Sequence, residues 1–493
     1  MAYTYEWNPG RRHNPIYSGK KLIRLIIFIT VSTSFLTTFA LLIGLTIFDS
    51  QHNHIVQDYV ARSDDVAILS TTLFANSKSY PPNTAVILFN AAQVFHLKHV
   101  HLNVLTESIR TTDVVPFKIS PVIGQMPFFC KWAPFIAIGQ VPADVVSLRL
   151  APGTNSKELK LRKPYKSLHD VVVCFSPLFL NERWQLLLSS LEIYSYYGAF
   201  MHFYVRSMMT DLMTLLRSYK KFRNQAAAMT DCLLMYKDSA DFIFFPDLDD
   251  IVIPHVGNSY YDEFTSAFAL FPEAGAISYN MSQAHLISTT SPSNYSPLMH
   301  LNSVRPNLKK DDIRWGKLVV KPDRLDSIWI HKSYGLRSPY VQKWMPIEKN
   351  SALHFRHWTF KHSHHFNRTK ENFYTPENAN GTLQRIYEVA DGIKIDKNFR
   401  SRMLQDDFYE VYSRLPSASL YYPLIEKCYN RIFYNNQHHS TCKGPEYCDI
   451  PEFPGLRCTN VISDYSSYPG YSNLYIHHLD EAHFEDSENG CTL

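Results

Sequence analysis

The stretch Phe242-Ile243-Phe244-Phe245-Pro246-Asp247-Leu248-Asp249-Asp250 joins an apolar run to three carboxylates. The apolar run predicts a buried strand. Asp247 and Asp249 would point to the same side if strand geometry continued, and they would then repel each other unless a cation lay near them. Oxygen ligands suit Mg²⁺ or Mn²⁺, which can bridge protein carboxylates to phosphate oxygens. A capped turn, in which Asp is also common, is the structural alternative.

Strands and helices alternate on the N-terminal side of this stretch. In chain order the patterns are a strand over 170–175, a helix over about 181–197, a strand over 200–205, and helices over about 210–221 and 224–236. The run at 242–245 is therefore the third strand. Such alternation predicts an α/β fold, a Rossmann-like body with a parallel sheet and crossover helices. Ligands bind such sheets at the carboxyl ends of the strands, and Asp247 follows one of those ends.

The rest of the chain differs from this body in its pattern. Residues 49–83 are mostly polar without sustained periodicity, which predicts a stem, whereas β-branched runs over 84–166 predict a small β-rich region. The α/β body is expected to occupy 167–435. The segment 436–493 contains Cys, Tyr, Asn and Pro without periodicity, so we expect an extended tail that disulfides hold in place.

An uncharged apolar run at 25–48 predicts a transmembrane helix, because about 20 such residues are needed to cross a bilayer core. A cleavable signal peptide is the alternative, but its apolar part is shorter, roughly 7–15 residues. Basic residues precede the run and acidic residues follow it. This asymmetry places residues 1–24 in the cytoplasm and the rest in the lumen, as in a single-pass type II protein with a signal anchor.

Composition and cysteine usage agree with a folded luminal body. The chain is 45% hydrophobic and 19% charged, which excludes a disordered protein. Its net charge of +4 includes no basic block of the kind that nucleic-acid binding needs. All eight cysteines follow the apolar run, as expected for disulfides in an oxidising compartment. Four glycosylation sequons also follow it, at Asn280, Asn294, Asn367 and Asn380.

Several ordered motifs between about residues 170 and 435 resemble glycosyltransferase family 92, a group of membrane-anchored enzymes abundant in nematodes. They are Val172-Val173-Cys174-Phe175-Ser176-Pro177, Trp184-Gln185 with Glu192-Ile193-Tyr194, Tyr204-Val205-Arg206-Ser207, Phe245-Pro246-Asp247-Leu248-Asp249-Asp250, Gly316-Lys317-Leu318-Val319-Val320-Lys321-Pro322 and His354-Phe355-Arg356. The resemblance implies a GT-A-type fold, a UDP-sugar donor, a glycan acceptor and an inverting transfer, best known for galactose, in the Golgi. Pro246 and Asp250 depart from the family pattern, which more often has a small or apolar residue and a Glu there.

The family's metal motif matches Asp247 and Asp249, which are expected to hold a divalent cation, Mn²⁺ or Mg²⁺, together with the donor diphosphate. A downstream histidine often completes the metal shell in this fold. His354 is preferred to His331, because Arg356 beside His354 could meet phosphate. A structural role is the alternative for either histidine, since the chain contains 22 of them.

Other groups at the expected site would bind substrate or accept a proton. Lys317 and Arg356 are candidates for contact with the diphosphate or acceptor, and an exposed surface position is the alternative for Lys317. An inverting transfer also needs a carboxylate base to deprotonate the acceptor hydroxyl. The sequence leaves three candidates for this base: Asp311, Asp312 and Glu410.

Two other classes of protein compete with the transferase interpretation. A non-catalytic glycan-binding or scaffold relative would be anchored in the same way, although the intact acidic residues argue against it. Phosphohydrolases of the haloacid dehalogenase type also place Asp-x-Asp after an apolar strand. Those enzymes use the first strand of the domain, whereas here the motif follows the third, so the transferase interpretation is favoured.

Overall fold

The computed structural model describes residues 64–92, 95, 99–123, 132–150, 156–217, 222–223, 228–307, 316–360, 388–431, 448–470 and 474–493. In these ranges, no helix combines the length and apolar character that crossing a membrane requires. The predicted span at 25–48 lies outside them.

The described residues form a mixed α/β structure with strands in two sheets. The strands are β1 Asp65–Phe74, β2 Thr84–Ala91, β3 His101–Ser108, β4 Thr112–Pro121, β5 Ala133–Gln140, β6 Val145–Leu150, β7 Leu161–Arg162, β8 His169–Cys174, β9 Phe200–Tyr204, β10 Ser207–Met209, β11 Phe222–Arg223, β12 Ala240–Phe245, β13 Asp250–Val252, β14 Ala274–Ser288, β15 Arg305–Asn307, β16 Gly316–Val320, β17 Val341–Trp344, β18 Ala352–Phe360, β19 Cys458–Pro469 and β20 Tyr475–Ser487. The helices are α1 Trp184–Tyr196, α2 Thr210–Arg217, α3 Ala228–Tyr236, α4 Tyr260–Leu270, α5 Pro297–Ser303, α6 Val389–Met403, α7 Asp406–Ser413 and α8 Tyr421–Tyr429.

The first sheet combines the N-terminal strands with strands from the far end of the sequence. Its order is β10-β19-β20-β1-β2-β5-β4-β3-β6, and β7 pairs with β1. The β-rich region expected over 84–166 is present. The structure differs from the sequence interpretation at both ends, since β1 lies within the expected stem and β19 and β20 form a long antiparallel pair within the expected tail. Both differences arise because β1 pairs in parallel with β20. Local periodicity in the sequence cannot predict a contact between such distant strands.

The second sheet contains the predicted α/β body. Its order is β11-β9-β8-β12-β16-β14-β18-β13, with β15 and β17 also paired to β14. The strands β11, β9, β8 and β12 run parallel, and α1, α2 and α3 lie between them in the chain, which confirms the predicted alternation. Beyond β12 the sheet becomes mixed, because β16 is antiparallel to both β12 and β14.

Both faces of the second sheet are covered, and this explains the unbroken apolar run that ends at the acidic residues. Phe242 and Phe244 of β12 lie in the same core as Leu187 of α1. Ile243 and Phe245 point the other way, into a core that they share with α3. A parallel strand buried on both faces has no polar alternation. Each fully buried side chain of this size contributes about 1.5–3 kcal/mol to stability, so the position of the strand is firmly fixed.

A buried carboxylate joins the two sheets. Asp231 of α3 accepts hydrogen bonds from the Ser70 hydroxyl of β1 at 2.8 Å and from the Tyr204 hydroxyl of β9 at 2.9 Å, and it pairs with Arg162 of β7. We call Asp231, Arg162, Ser70 and Tyr204 the interface cluster. Burial alone would raise the pKa of Asp231, but Arg162 and the hydrogen bonds outweigh burial and lower it.

Three disulfides confirm that the cysteines pair. They are Cys174–Cys232, which ties β8 to α3, Cys428–Cys448, and Cys458–Cys491. Cys130 and Cys442 lie outside the described residues.

The four sequons differ in accessibility. Asn280 is 4% exposed within β14 and donates its amide to the Met345 carbonyl at 3.1 Å, so the folded protein does not offer it for glycosylation. Asn294 is exposed, and Asn367 and Asn380 lie outside the described residues.

Candidate metal and donor site

The acidic residues lie where the connections of the second sheet diverge. From β8 the chain leads to β9 and β11 on one side, whereas β12 lies on the other side of β8. The crevice beyond the carboxyl ends of two such strands is the usual ligand site of an open α/β sheet. Ser176 follows β8 and Asp247 follows β12, and the Ser176 hydroxyl donates a hydrogen bond to Oδ1 of Asp247. The two strand ends therefore meet at this crevice.

The segment from Asp247 to Asp250 is a turn between β12 and β13. The Asp250 amide donates to the Asp247 carbonyl at 3.1 Å, and the Asp247 amide donates to Oδ2 of Asp250 at 3.1 Å. Strand geometry does not continue through Asp247 and Asp249, contrary to the assumption behind their expected alignment. The capped turn that was the structural alternative is therefore present, and the same turn carries the carboxylates of the candidate site.

Neighbouring elements hold the backbone of this turn. The Ser190 hydroxyl of α1 donates to the Leu248 carbonyl at 2.8 Å, and the Tyr194 hydroxyl donates to the Asp250 carbonyl at 2.7 Å. On the other side, the Phe355 amide donates to the Asp249 carbonyl at 2.8 Å. Because consecutive carbonyls are bound from a helix and a strand, the carboxylates are presented by a backbone that is fixed in advance.

Lys317 pairs with two of the three carboxylates. Its side chain is 1% exposed, and its Nζ lies 3.0 Å from Oδ2 of the fully buried Asp250 and also contacts Oδ2 of Asp247. Burial alone would lower the pKa of Lys317, but Asp250 and Asp247 outweigh burial and hold it above its ordinary value. Asp250 shows the reverse balance, since burial would raise its pKa whereas Lys317 and His354 lower it. The lysine is therefore an internal counter-ion.

Asp249 and His354 form the outer part of the site. The backbone pairing of β13 with β18 places His354 opposite Asp250. His354 Nδ1 lies 2.9 Å from Oδ1 of Asp250 and 3.7 Å from Oδ2 of Asp249. Burial and the neighbouring Asp250 raise the pKa of Asp249 to about 6, against the opposing effect of His354. The side chain of Asp249 is still 33% exposed, so a solute can reach it more directly than the fully buried Asp250.

Asp249, Asp250 and His354 could together hold a metal ion. One ligand atom from each lies within 4.8 Å of the others. Two carboxylates and an imidazole suit Mn²⁺ and are also compatible with Mg²⁺. A cation here would offset the crowding of negative charge that raises the pKa of Asp249. Two of the predicted ligands, Asp249 and His354, belong to this group together with Asp250, and the third, Asp247, contacts Lys317 and Ser176.

The structure separates the other predicted residues. His331 does not join the metal-compatible group, and its Nδ1 lies 2.9 Å from the Gly316 carbonyl. Glu410 is on α7, 73% exposed, and pairs with Arg414 at 2.7 Å rather than with the acidic residues. The side chain of Arg356 lies outside the described part of the chain, and so do Asp311 and Asp312.

The contacts that Ser176 and Asp250 make at this site were not identified from the sequence. Ser176 had a detectable signal, because it directly follows a predicted strand at the same edge of the sheet as Asp247. Asp250 was not named as a ligand because the acidic stretch was treated as extended, whereas the turn brings its side chain back toward Asp247. We refer below to Asp247, Asp249 and Asp250 as the acidic cluster.

A mixed α/β sheet that carries a metal-compatible acidic cluster beyond its parallel strands is an arrangement that a glycosyltransferase can use, and comparison with known proteins supports that class. The family model described as "Glycosyltransferase family 92" matches residues 169–223 and 220–393. Glycosyltransferase family 92 protein F59C6.8 of Caenorhabditis elegans is 52% identical, over 97% of this chain and 98% of the relative. The proteins F13G3.3 and C33H5.2 of the same family and organism are 26% and 25% identical, over 87% and 76% of this chain and 90% and 80% of the relatives.

This chain belongs to glycosyltransferase family 92. The resemblance drawn from the ordered motifs is confirmed, and the protein is a glycosyltransferase. Family membership therefore decides against the haloacid dehalogenase alternative.

Proposed function

We propose that this enzyme is a metal-dependent, inverting transferase that moves galactose from UDP-galactose to a glycan acceptor. The observation that carries the proposal is the group formed by Asp249, Asp250 and His354 beyond β12. Sugar transfer from a nucleotide donor releases a charged diphosphate, and a divalent cation held by protein carboxylates can neutralise that charge. In a glycosyltransferase, this role accounts for an acidic cluster that internal cations only partly offset.

The sheet supports assignment of the catalytic domain to the GT-A type. Its first four strands in chain order, β8, β9, β11 and β12, are parallel and lie in the order β11-β9-β8-β12. The acidic cluster follows β12, the fourth of these strands, at the crevice between β8 and β12. On its other edge, β12 pairs with the antiparallel strand β16. A nucleotide bound across that crevice would have its phosphates near Ser176 and the acidic cluster.

Each residue of the site would have its own role in catalysis. Asp249, Asp250 and His354 would hold the cation, and without it Asp250 keeps the histidine in place through its contact with Nδ1. Lys317 keeps the buried Asp250 ionised and also pairs with Asp247. The hydrogen-bonded turn keeps all of these groups at fixed positions, so little reorganisation is needed as the leaving group gains charge.

Transfer with inversion needs one further group. The acceptor oxygen forms a bond to the anomeric carbon while the bond from that carbon to the phosphate oxygen breaks, and a base takes the acceptor proton. Glu410 is turned toward Arg414 on α7, so Asp311 and Asp312 are the better candidates for the base.

We further propose that the catalytic domain, residues 167–435, works in the Golgi lumen and is held there by the span at 25–48. The three disulfides support an oxidising compartment. The basic residues before that span support a cytoplasmic N-terminus.

A donor screen tests the function. The full chain, purified from a secreting host, is incubated with UDP-galactose, other UDP-sugars and a panel of glycans, with Mn²⁺ or with EDTA. We expect release of UDP and a galactosylated product with Mn²⁺ only, and loss of both in the Asp249→Asn variant. The anomeric configuration of the product, measured by NMR, checks inversion.

Asp241→Asn is the matched control. Asp241 lies on the same strand at its other end, where it is exposed, so this variant should retain activity. Transfer that persists in EDTA would refute metal dependence, and transfer from another UDP-sugar would refute galactose. If the folded protein turned over no nucleotide sugar, the non-catalytic glycan-binding role would replace this proposal.

A further inference from the structure

An arginine and a tyrosine from distant parts of the chain stack near the acidic cluster. Arg183 directly precedes α1, the helix that follows β8. Its guanidinium carbon lies 3.1 Å from the centre of the ring of Tyr422, which belongs to α8. Both side chains are half-buried, so each keeps part of its surface open to solvent. Tyr422 lies beyond residue 393, where the match to the family model ends.

The neighbouring residue fixes this pair. Glu182 is 5% exposed, and its two carboxylate oxygens accept the backbone amides of Leu420 and Tyr422, both at 2.7 Å. These amides belong to the start of α8, where helix donors lack partners within the helix. The nearby Trp184 indole also donates to the Pro416 carbonyl at 2.9 Å. The start of α1 and the start of α8 are thus joined, and Arg183 has little freedom to move.

Arg183 precedes the helix that holds the turn of the acidic cluster, since Ser190 and Tyr194 of α1 donate to the Leu248 and Asp250 carbonyls. Burial lowers the pKa of Arg183, while Tyr422, Asp249 and Glu182 act in the opposite direction. A guanidinium remains protonated at physiological pH in any case. Asp249 is the most exposed member of the metal-compatible group, and Arg183 places a positive charge at the start of the helix that holds this turn.

A diphosphate needs more positive charge than the cation alone supplies. Lys317 is already shared between Asp247 and Asp250 inside the protein. The planar guanidinium of an arginine can give two parallel hydrogen bonds to a phosphate group, which an ammonium cannot match in geometry. Stacking on an aromatic ring fixes the plane of that group before the ligand arrives, which lowers the entropic cost of binding.

We propose that Arg183, held flat against the ring of Tyr422, binds the terminal phosphate of the donor's nucleoside diphosphate and stabilises it as the leaving group. Tyr422 is a positioning residue for Arg183, and through it α8 contributes to the donor site. This inference rests on the proposed function, because it needs a nucleotide donor at the acidic cluster.

Binding of UDP and UMP to the full chain tests the inference without relying on turnover. Both dissociation constants are measured by calorimetry, with Mn²⁺ and again with EDTA, for the wild type and for Arg183→Lys. We expect Arg183→Lys to weaken UDP binding about tenfold or more while UMP binding changes far less, because only UDP carries the terminal phosphate. The loss should persist in EDTA, where the cation cannot compensate.

Variants of Tyr422 and a distant arginine provide controls. Tyr422→Leu removes the ring and should reduce the preference for UDP over UMP in the same direction, whereas Tyr422→Phe should retain it. Arg206→Lys changes an exposed arginine that follows β9 and should have no effect. If Arg183→Lys does not fold, the two Tyr422 variants still decide the question, because Arg183 is intact in both.

The outcomes distinguish a failure of this inference from a failure of the proposed function on which it rests. If the wild type binds UDP more tightly than UMP and every variant keeps the same preference, Arg183 does not bind the terminal phosphate and the inference fails alone. Equal weakening of UDP and UMP together with a lower melting temperature would assign Arg183 and Tyr422 a structural role only. If the wild type binds neither nucleotide, the inference and the nucleotide-donor proposal fail together.

Discussion

The interface cluster and the acidic cluster are both buried groups of aspartate with basic partners, yet their charges are balanced differently. In the interface cluster, Asp231 meets the guanidinium of Arg162 and two hydroxyls, and it is 1% exposed. In the acidic cluster, three carboxylates share Lys317 and His354. Asp247 and Asp249 remain about one-third exposed, with side-chain exposures of 36% and 33%.

This difference is visible in the pKa shifts. Arg162 and the hydroxyls lower the pKa of Asp231 despite its burial, so the charged form suits its surroundings. The pKa of Asp249 is raised to about 6 because burial and Asp250 disfavour its charge. A carboxylate with sufficient partners stabilises the fold, whereas one that lacks positive charge attracts a cation. The comparison therefore distinguishes an acid whose charge is balanced within the fold from one that a bound cation could stabilise.

The largest expected effect comes from removing the partner of Asp231. Arg162→Met should lower the free energy of unfolding by about 3–5 kcal/mol, because it leaves a buried carboxylate without its counter-ion. Activity per folded molecule should not change. Urea denaturation and a transfer assay check both statements. Arg414→Met, which removes exposed ion pairs on α7, should leave the denaturation midpoint unchanged. Lost activity with unchanged stability would show that the interface cluster is functional.

The second largest effect is expected at Asp249, where activity should be lost and stability retained. Asp249→Asn should reduce metal-dependent turnover by about 100-fold or more, because it removes a carboxylate from the metal-compatible group. The melting temperature of the metal-free protein should not fall, since the change relieves repulsion with Asp250. Differential scanning fluorimetry in EDTA, beside the transfer assay, provides the measurement. A large loss of stability would place Asp249 with the structural acids and break the comparison.

Two serines allow a smaller, matched test. Ser70 donates to Asp231, and Ser176 donates to Asp247. Ser70→Ala should cost about 1–3 kcal/mol of stability with no change in donor affinity, because its buried acceptor is charged. Ser176→Ala should weaken donor or metal affinity by about tenfold and cost less stability, since water can reach Asp247. Equal effects of the two substitutions in both assays would remove the distinction.

The smallest effect is the pH dependence of stability without metal. The folded-state pKa of Asp231 is lowered, so its contribution is complete above the unfolded value of about 3.9 and is lost only as the pH falls through the lower folded value. The folded-state pKa of Asp249 is raised to about 6, so the folded protein holds the extra proton between about pH 4 and 6 and loses stability as the pH rises through that window.

Urea midpoints in EDTA distinguish the two acids. The midpoint difference between Asp249→Asn and the wild type should grow in favour of the variant from pH 4 to 7. The difference for Asp231→Asn should stay constant over that range and shrink only below about pH 4. A constant difference for Asp249→Asn over the whole range would contradict its raised pKa.

Local periodicity was enough to predict the elements that lead to the site. The strand at 242–245 and the helix after β8 were predicted because their apolar residues are close in sequence, and the structure places them at Ala240–Phe245 and Trp184–Tyr196. The strand is the fourth of the parallel set and not the third, because the short strand β11 precedes it. His354 was predicted as a partner of the acidic residues, and the pairing of Asp250 with His354 across β13 and β18 brings them together.

Local sequence patterns could not predict the features that depend on pairing between distant strands. Lys317 was a candidate for contact with the diphosphate or acceptor. Because β16 pairs with β12 so that Leu318 lies opposite Phe245, Lys317 also contacts Asp247 and Asp250, which the sequence did not predict. The long strand β14 has partners on both sides, and no local pattern identified it. Stacking of Arg183 on Tyr422 joins two helices that lie far apart in sequence.

The parallel pairing of β1 with β20 has a consequence for how the protein is made. β1 is the first described strand to leave the ribosome and β20 is the last, so residues 65–68 of β1 gain their parallel partner only once β20 has been made, whereas residues 71 and 72 can pair with β7 much earlier. Contacts between such distant segments form slowly and leave strand edges open in the meantime. We therefore expect the edge of β1 at residues 65–68 to stay open until β20 is available to pair with it.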